Sequence, residues 1–376
     1  MTINNEHNKL NVPNLRFKEF QGEWEKCKLS EICTFFSGGT PSSSNKYFYG
    51  GDIAFIRSGE LHADNTELFI TQAGFDSSSA KIVEVGDLLL AMYGATSGDI
   101  AISKIEGAIN QAILCIRTKQ NKKFLESIWN KHVSKILRKY LQGGQGNLSA
   151  DIVKSISFSF PTLEEQERIA NLISLLDERI ATQNKIIEDL KKLKFAISHI
   201  LFSSKFTNHL SYIANVVMGQ SPSSNAYNDQ GIGMPLVQGN LDISNGKTTP
   251  RLYTSEFNQT AEEGNIILTV RAPVGEVAKA TKNVCLGRGV CAIIPHEENM
   301  SDFIYQYLTF YKFMWRKYEQ GSTFTSINGS DVRNILCPEV RNVSILTLLD
   351  SKISTEERVV KLYQKQKQYL LRQMFI

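Results

Sequence analysis

Residues 163–202 form a run of forty with no Gly or Pro and a high share of strong helix formers, which predicts one long helix. Apolar seam positions fall at Leu176, Ile180, Ile187, Leu190, Ile197 and Leu201, and the 4-3 alternation continues through Gln183 and Lys194. Such a stripe requires a partner helix. The end of the chain supplies one, with Leu349, Ile353, Val360, Tyr363, Leu370 and Met374 in the same register. Leu175-Leu176-Asp177 recurs as Leu348-Leu349-Asp350, an offset of 173 (348 − 175) that holds without a gap to Phe202 and Phe375. The polar interruptions recur too, Gln183 matching Glu356 and Lys194 matching Lys367. Two copies of one helix that pair with each other constrain the remaining chain to two similar halves.

The remaining chain is also duplicated. Leu29-Ser30-Glu31-Ile32 matches Leu210-Ser211-Tyr212-Ile213, and Gly38-Gly39-Thr40-Pro41-Ser42-Ser43 matches Gly219-Gln220-Ser221-Pro222-Ser223-Ser224, both at an offset of 181. Further on, Gly98-Asp99-Ile100-Ala101 meets Gly275-Glu276-Val277-Ala278 at an offset of 177, so small loop deletions separate the copies. Short β-branched runs predict strands at 52–57, 87–92 and 109–116, with counterparts at 235–237, 265–270 and 289–294. Helical segments are predicted at 122–141 and 301–318, each followed by a Gly-containing loop at 142–147 and 320–325. Pro161 and Pro338 punctuate the approach to each long helix.

The expected fold class is therefore α+β: two similar globular units separated by two long helices that pair as an antiparallel coiled coil, with a pseudo-two-fold internal repeat. The boundaries expected are 1–160 for the first unit, 161–204 for the central helix, 205–340 for the second unit and 341–376 for the C-terminal helix. A helix of about 38 residues would be roughly 57 Å long, a spacer of definite length between two reading heads.

With 42% hydrophobic and 21% charged residues the composition is that of a globular protein. The formal net charge of +4 permits a polyanionic partner without requiring one. There is no apolar run long enough to span a membrane and no signal-like N-terminus, so a cytoplasmic protein without membrane contact is expected. Six cysteines without a Cys-x-x-Cys pair read as reduced thiols. The six histidines stand in six separate contexts, and no metal site is expected. No phosphate-binding Gly loop, dinucleotide fingerprint or His-Glu-x-x-His is present, and the 94–98 Gly/Ser segment reads as a turn. No catalytic residue is assigned.

In its doubled order the chain resembles the specificity subunit of type I restriction-modification systems. The residues that carry the resemblance are Ser37-Gly38-Gly39-Thr40-Pro41, Ile53 to Leu61, Gly86-Asp87-Leu88-Leu89, the 142–147 loop, and Pro161 with Glu165-Gln166 entering the helix. The second half departs from this pattern, because Leu336-Cys337-Pro338-Glu339-Val340 leads to Val343-Ser344 without a Glu-Gln pair. The resemblance implies two target-recognition domains that each read one half of an interrupted target in double-stranded DNA. It also implies helices that set the gap and dock two methyltransferase subunits, in a complex with restriction and translocase subunits. S-adenosylmethionine, ATP and Mg2+ would sit on those partners, and this chain would be non-catalytic.

Base edges are read by Arg, Lys, Asn and Gln, and phosphates are held by Lys, Arg and backbone amides. In the first unit the candidates are Lys46, Tyr47, Arg57, Ser58, Tyr93, Gln145 and Asn147; in the second they are Tyr227, Gln238, Asn240, Arg271, Arg288, Thr323 and Thr325. Lys135, Arg138 and Lys139, with Arg316 and Lys317, are candidates for phosphate contact, though a solvated basic helix face explains them nearly as well. The outward residues Glu178, Lys185, Lys191, Glu357, Lys361 and Lys365 are candidates for docking other subunits. The alternative is a coiled-coil scaffold whose two heads bind proteins and never touch nucleic acid.

Overall fold

A computed structural model describes residues 11–140, 147–203, 206–317 and 326–376. The chain divides into two units: Met1–Thr182 with Val359–Ile376, and Gln183–Arg358. Each unit thus contains half of each long helix.

The central strand of unit one, Leu88–Ala91, is buried at all four positions, and its alternation decides what packs where. Leu88 and Leu90 join the cluster built on the helix Lys122–Tyr140, while Leu89 and Ala91 join a second cluster with Ile56, Ile109 and Ile113. The strand sits between Ile113–Thr118 and Ile100–Ile102, and Cys33–Ser37 completes this four-stranded sheet. A second sheet runs in the order Phe69–Ile70, Tyr49–Ile56, Gly107–Ile109 and Lys81–Val83. Glu25–Lys28 pairs antiparallel with Ser157–Phe160.

Unit two repeats this order. Ile266–Thr269 takes the central place, with Ile266 and Leu268 in one cluster and Ile267 in the other. Its neighbours are Val290–Pro295 and Val277–Lys279, with Ala214–Met218 beyond the first. Leu252–Thr254, Met234–Val237, Val284–Leu286 and Thr260–Ala261 repeat the second sheet, and Phe206–His209 pairs with Leu336–Pro338. The hairpin Ile243–Ser244 with Lys247–Thr248 extends the first sheet in this unit.

Two elements differ from expectation. The apolar run 109–116 is broken, because Asn110 Oδ1 accepts from Ala112 N at 3.1 Å and turns the chain from the second sheet into the first. The helix expected over 301–318 stops as an α-helix at Tyr311 and continues as a 3-10 turn, Lys312–Lys317. That turn seats Trp315, 2% exposed, on Gly275, where a Cβ would come within 2.2 Å of the indole.

The long helices run Leu163–Phe202 and Ser344–Met374. All twelve apolar seam residues are buried or half-buried, whereas Leu175 beside them is 57% exposed. Within unit one Lys367 Nζ lies 2.5 Å from Asp177 Oδ1; within unit two Lys194 Nζ lies 2.5 Å from Asp350 Oδ1 while Gln183 meets Glu356, a reversed order that makes these helix halves antiparallel. Lys191 pairs with Glu357 at 2.8 Å, so these two of the outward residues face each other across the helices rather than standing free. Each pair is tied to its globular part in the same way. Lys123 Nζ reaches Asp177 Oδ2 at 2.9 Å and Gln306 Nε2 reaches Asp350 Oδ2 at 2.7 Å; Phe124 packs on Phe375, and Phe303 on Phe202. Glu165, 1% exposed, takes both nitrogens of an Arg16 fork at 2.7 Å, which anchors the start of the first helix to the N-terminal segment.

Burial pushes the Asp177 carboxyl up, but Lys367 and Lys123 outweigh it and hold the group below its ordinary value of 3.8. A carboxyl lowered in the folded state contributes stability above its unfolded pKa and loses it as pH falls through the folded one. Asp177→Asn is therefore expected to lower the denaturation midpoint at pH 7, with the wild-type advantage shrinking below about pH 3.9. Leu176→Ala should cost about 2–5 kcal/mol in equilibrium unfolding, whereas Leu175→Ala should stay within about 0.5 kcal/mol.

Candidate nucleic-acid interface

The first turn of each globular unit is set by a glycine that no other residue can replace without backbone movement. A Cβ on Gly219 would lie 2.1 Å from Gly287 O, and one on Gly38 would lie 1.7 Å from Ile109 O. This close approach lays the 219–222 turn beside the turn between Val284–Leu286 and Val290–Pro295, and Arg288 N donates to Ser221 Oγ at 3.1 Å. Tyr227 OH closes the same turn by donating to Pro222 O at 3.1 Å.

The result is an open cleft of ≈ 670 Å³ in unit two. Tyr227, Gln238, Asn240, Arg271 and Arg288 all line it, and no Asp or Glu does. Both arginines are exposed, and neither takes part in an ion pair among the described residues. Asp242 supports the wall: its buried carboxylate accepts from Gln238 N at 2.8 Å and from Arg251 Nε at 2.9 Å. Arg271 sits where residue 326 bridges back to the sheet, with Ile327 N bonded to Val270 O at 3.0 Å.

Unit one has the same frame with different side chains. Tyr49 OH donates to Pro41 O at 2.7 Å, so Tyr49, and not Tyr47, performs the bond made by Tyr227. Tyr47 is 87% exposed and stands with Lys46 in the 3-10 turn Lys46–Phe48. Arg57 and Ser58 lie at the opposite end of the strand Tyr49–Ile56 from Lys46 and Tyr47. The Arg57 fork is engaged by Glu60, at 3.1 Å and 2.9 Å, and holds that carboxyl below the usual range. Half of the Arg57 side chain remains exposed. Tyr93 is half-buried against the core, and Asn147 is exposed beside Leu148, whose N bonds to Met92 O at 3.0 Å as Ile327 does to Val270. Gln145, Thr323 and Thr325 lie outside the described residues.

Sequence reasoning passed over Gln111. The Thr40 hydroxyl bonds to the Gln111 side chain as Ser221 does to Arg288 N, and 288 − 111 is the offset of 177 already visible in the strand repeat. Gln111 is exposed and therefore occupies in unit one the place of Arg288.

Hydrolytic or transfer chemistry has no support in the thiols. Burial pushes Cys115, Cys291 and Cys337 up to about 12, opposite to what a nucleophile requires. No group of three or more potential metal ligands occurs among the described residues. No described helix is long and apolar enough to cross a membrane.

Comparison with known proteins agrees with this geometry. The family model described as type I restriction modification DNA specificity domain matches twice, at residues 21–192 and 207–359. The chain belongs to this family, as the motifs from Ser37 to Gln166 implied, and the doubled α+β fold is the one expected. A putative type I restriction enzyme MjaX specificity subunit of Methanocaldococcus jannaschii is 27% identical over 361 residues, covering 85% of this chain and 84% of that protein. The EcoR124I/EcoR124II specificity subunit of Escherichia coli is 28% identical over 189 residues, 47% of this chain and 46% of that one. Among solved structures, the type I system S subunit from M. genitalium has a TM-score of 0.66 at 17% identity, covering 97% of this chain and 99% of that one. The protein is thus a specificity subunit, the non-catalytic component of a type I restriction-modification system, and the pure scaffold alternative is not favoured.

Removing the charge of Asp242 should loosen the cleft wall. Asp242→Asn is expected to cost about 1–3 kcal/mol in denaturant titration, since a buried charge-assisted bond and its N–H partner are both weakened.

Proposed function

We propose that each globular unit reads one half of an interrupted target in double-stranded DNA, and that the chain thereby directs adenine methylation and restriction by partner subunits. The observation that carries this reading is the unit-two cleft, where Arg271, Arg288, Gln238 and Asn240 meet without a carboxylate among the lining residues. Arginine forks suit the O6 and N7 of guanine, and Gln or Asn amides suit the N6 and N7 of adenine. In unit one the corresponding readers are Arg57, Ser58, Tyr93, Asn147 and Gln111, with Lys46 and Tyr47 on the flanking turn. Because Arg288 is matched by Gln111 and Gln238 by Arg57, the two half-sites differ in sequence.

The domain limits we assign are 1–160 and 205–340 for the recognition domains and 161–204 and 341–376 for the helices. Two methyltransferase subunits dock on those helices, with restriction and translocase subunits completing a cytoplasmic complex; S-adenosylmethionine, ATP and Mg2+ belong to these partners. Support for two copies of one partner comes from Leu175 and Leu348, equivalent at the offset of 173 and exposed at 57% and 68%.

Methylome sequencing of a host carrying variants tests the reading. Arg271→Ala with Arg288→Ala should relax or abolish recognition at one half of the methylated motif and leave the other half intact, while Arg57→Ala should do the reverse. A bidentate contact is worth about 1–3 kcal/mol of discrimination, enough for methylation to spread to several related motifs. Equal loss at both halves from either variant would contradict separate reading.

A further inference from the structure

We infer that unit one holds a second, sequence-independent DNA contact, a cleft in which Lys26, Lys135 and Lys139 bind the phosphate backbone. The inference rests on the reading of unit one as a DNA-recognition domain but involves none of the base-reading residues.

The cleft, of ≈ 510 Å³, lies between the second half of the helix Lys122–Tyr140 and the edge formed by Glu25–Lys28 with Ser157–Phe160. No Asp or Glu side chain lines it, whereas three lysines and His132 do. Six other basic groups of unit one are matched by carboxylates: Arg16 with Glu165, Arg57 with Glu60, Lys104 with Asp64, Arg117 with Asp87, Lys123 with Glu126 and Lys154 with Asp151. Lys26, Lys135 and Lys139 are exposed and take no ion pair among the described residues. Three such lysines therefore share one cleft, contributed by two different elements.

A helix dipole favours basic residues in a last turn, which accounts for Lys139. It does not account for Lys26, which a strand brings to the same cleft from the opposite wall. Lys131, Lys135 and Lys139 follow at every fourth residue, placing ammonium-bearing stems about 6 Å apart along one face. Lys131 is turned away, donating to Phe375 O, and His132 Nε2 is 2.8 Å from Ile376 O. Burial holds His132 below its ordinary range, with smaller contributions from Lys131 and Lys135 and an opposing one from the Ile376 oxygen. Lys139 Nζ stands 5.0 Å over the Tyr140 ring, a partner that leaves its charge unneutralised for an anion. A row of ammonium groups with no Asp or Glu side chain and no hydrogen-bonding fork among them, beside an Ile376 main-chain oxygen already engaged by His132, is suited to point-charge contact with phosphates rather than to a base edge.

Such contacts have a distinctive readout. Each phosphate neutralised contributes about 0.9 to the slope of log affinity against log salt. With the full chain in the complex it forms in the cell, Lys135→Ala with Lys139→Ala is expected to reduce the slope by about 1.8, for target and unrelated duplexes alike. The fall in affinity between about 50 and 200 mM salt then becomes about twelve-fold shallower. Lys26→Ala alone should reduce the slope by about 0.9, and Lys135→Arg with Lys139→Arg should leave it unchanged, which separates charge from packing. An unchanged slope in the alanine variants, or a loss confined to the target duplex, overturns the inference while leaving the base-reading proposal in place. A wild-type complex that binds no duplex DNA overturns both.

Discussion

The carboxylates of Asp177 and Asp350 decide how the two helix halves pair within each unit. Each flanks an apolar helix seam, takes from the facing helix the lysine that interrupts that seam, and takes a second donor from the globular unit, Lys123 in one case and Gln306 in the other. Ion pairs of this kind add little net stability, because desolvation offsets most of the attraction. Their effect is on register: sliding either helix by one heptad would leave an aspartate and a lysine half-buried without partners. Since Asp177 and Asp350 are the same position in two copies, as are Lys194 and Lys367, one interaction is written once and used twice. The aromatic pairs Phe124 with Phe375 and Phe303 with Phe202 repeat the same economy at the helix ends.

How far the sequence could be read follows from how local each determinant is. The central helix was legible to the residue and the C-terminal one to within about three residues, because the apolar stripe depends only on neighbours three and four positions apart and the ungapped repeat carries it from one copy to the other. The sheets were legible in outline, since Leu88 to Ala91 and Ile266 to Thr269 are apolar runs bounded by turns. The break at Asn110 was not, because a single side-chain bond to Ala112 N decides it. Nor was the end of the helix at Tyr311, which answers to a tertiary fit between Trp315 and Gly275.

For the candidate interface the limit was convergence. Tyr227, Gln238, Asn240, Arg271 and Arg288 are spread over sixty residues, and only the close approach at Gly219 brings them to one cleft. In unit one the same frame is present, but Arg57 is drawn to Glu60, and Gln111 holds a place that residue type alone did not advertise. Loop charge can be read from sequence; whether a neighbouring carboxylate has already claimed it cannot. The same distinction separates Lys135 and Lys139, left unpaired around their cleft, from Lys191, taken by Glu357.

The central claim is that one fold, duplicated, presents two independent readers whose specificity resides in side chains hung on a common frame. Replacing residues 206–338 with a copy of residues 25–160 tests it most directly, because the paired strands at the root of each unit coincide at those limits. The account predicts that methylome sequencing of a host carrying this chain finds both halves of the methylated motif reading the sequence recognised by unit one. A motif that keeps its original second half would contradict it.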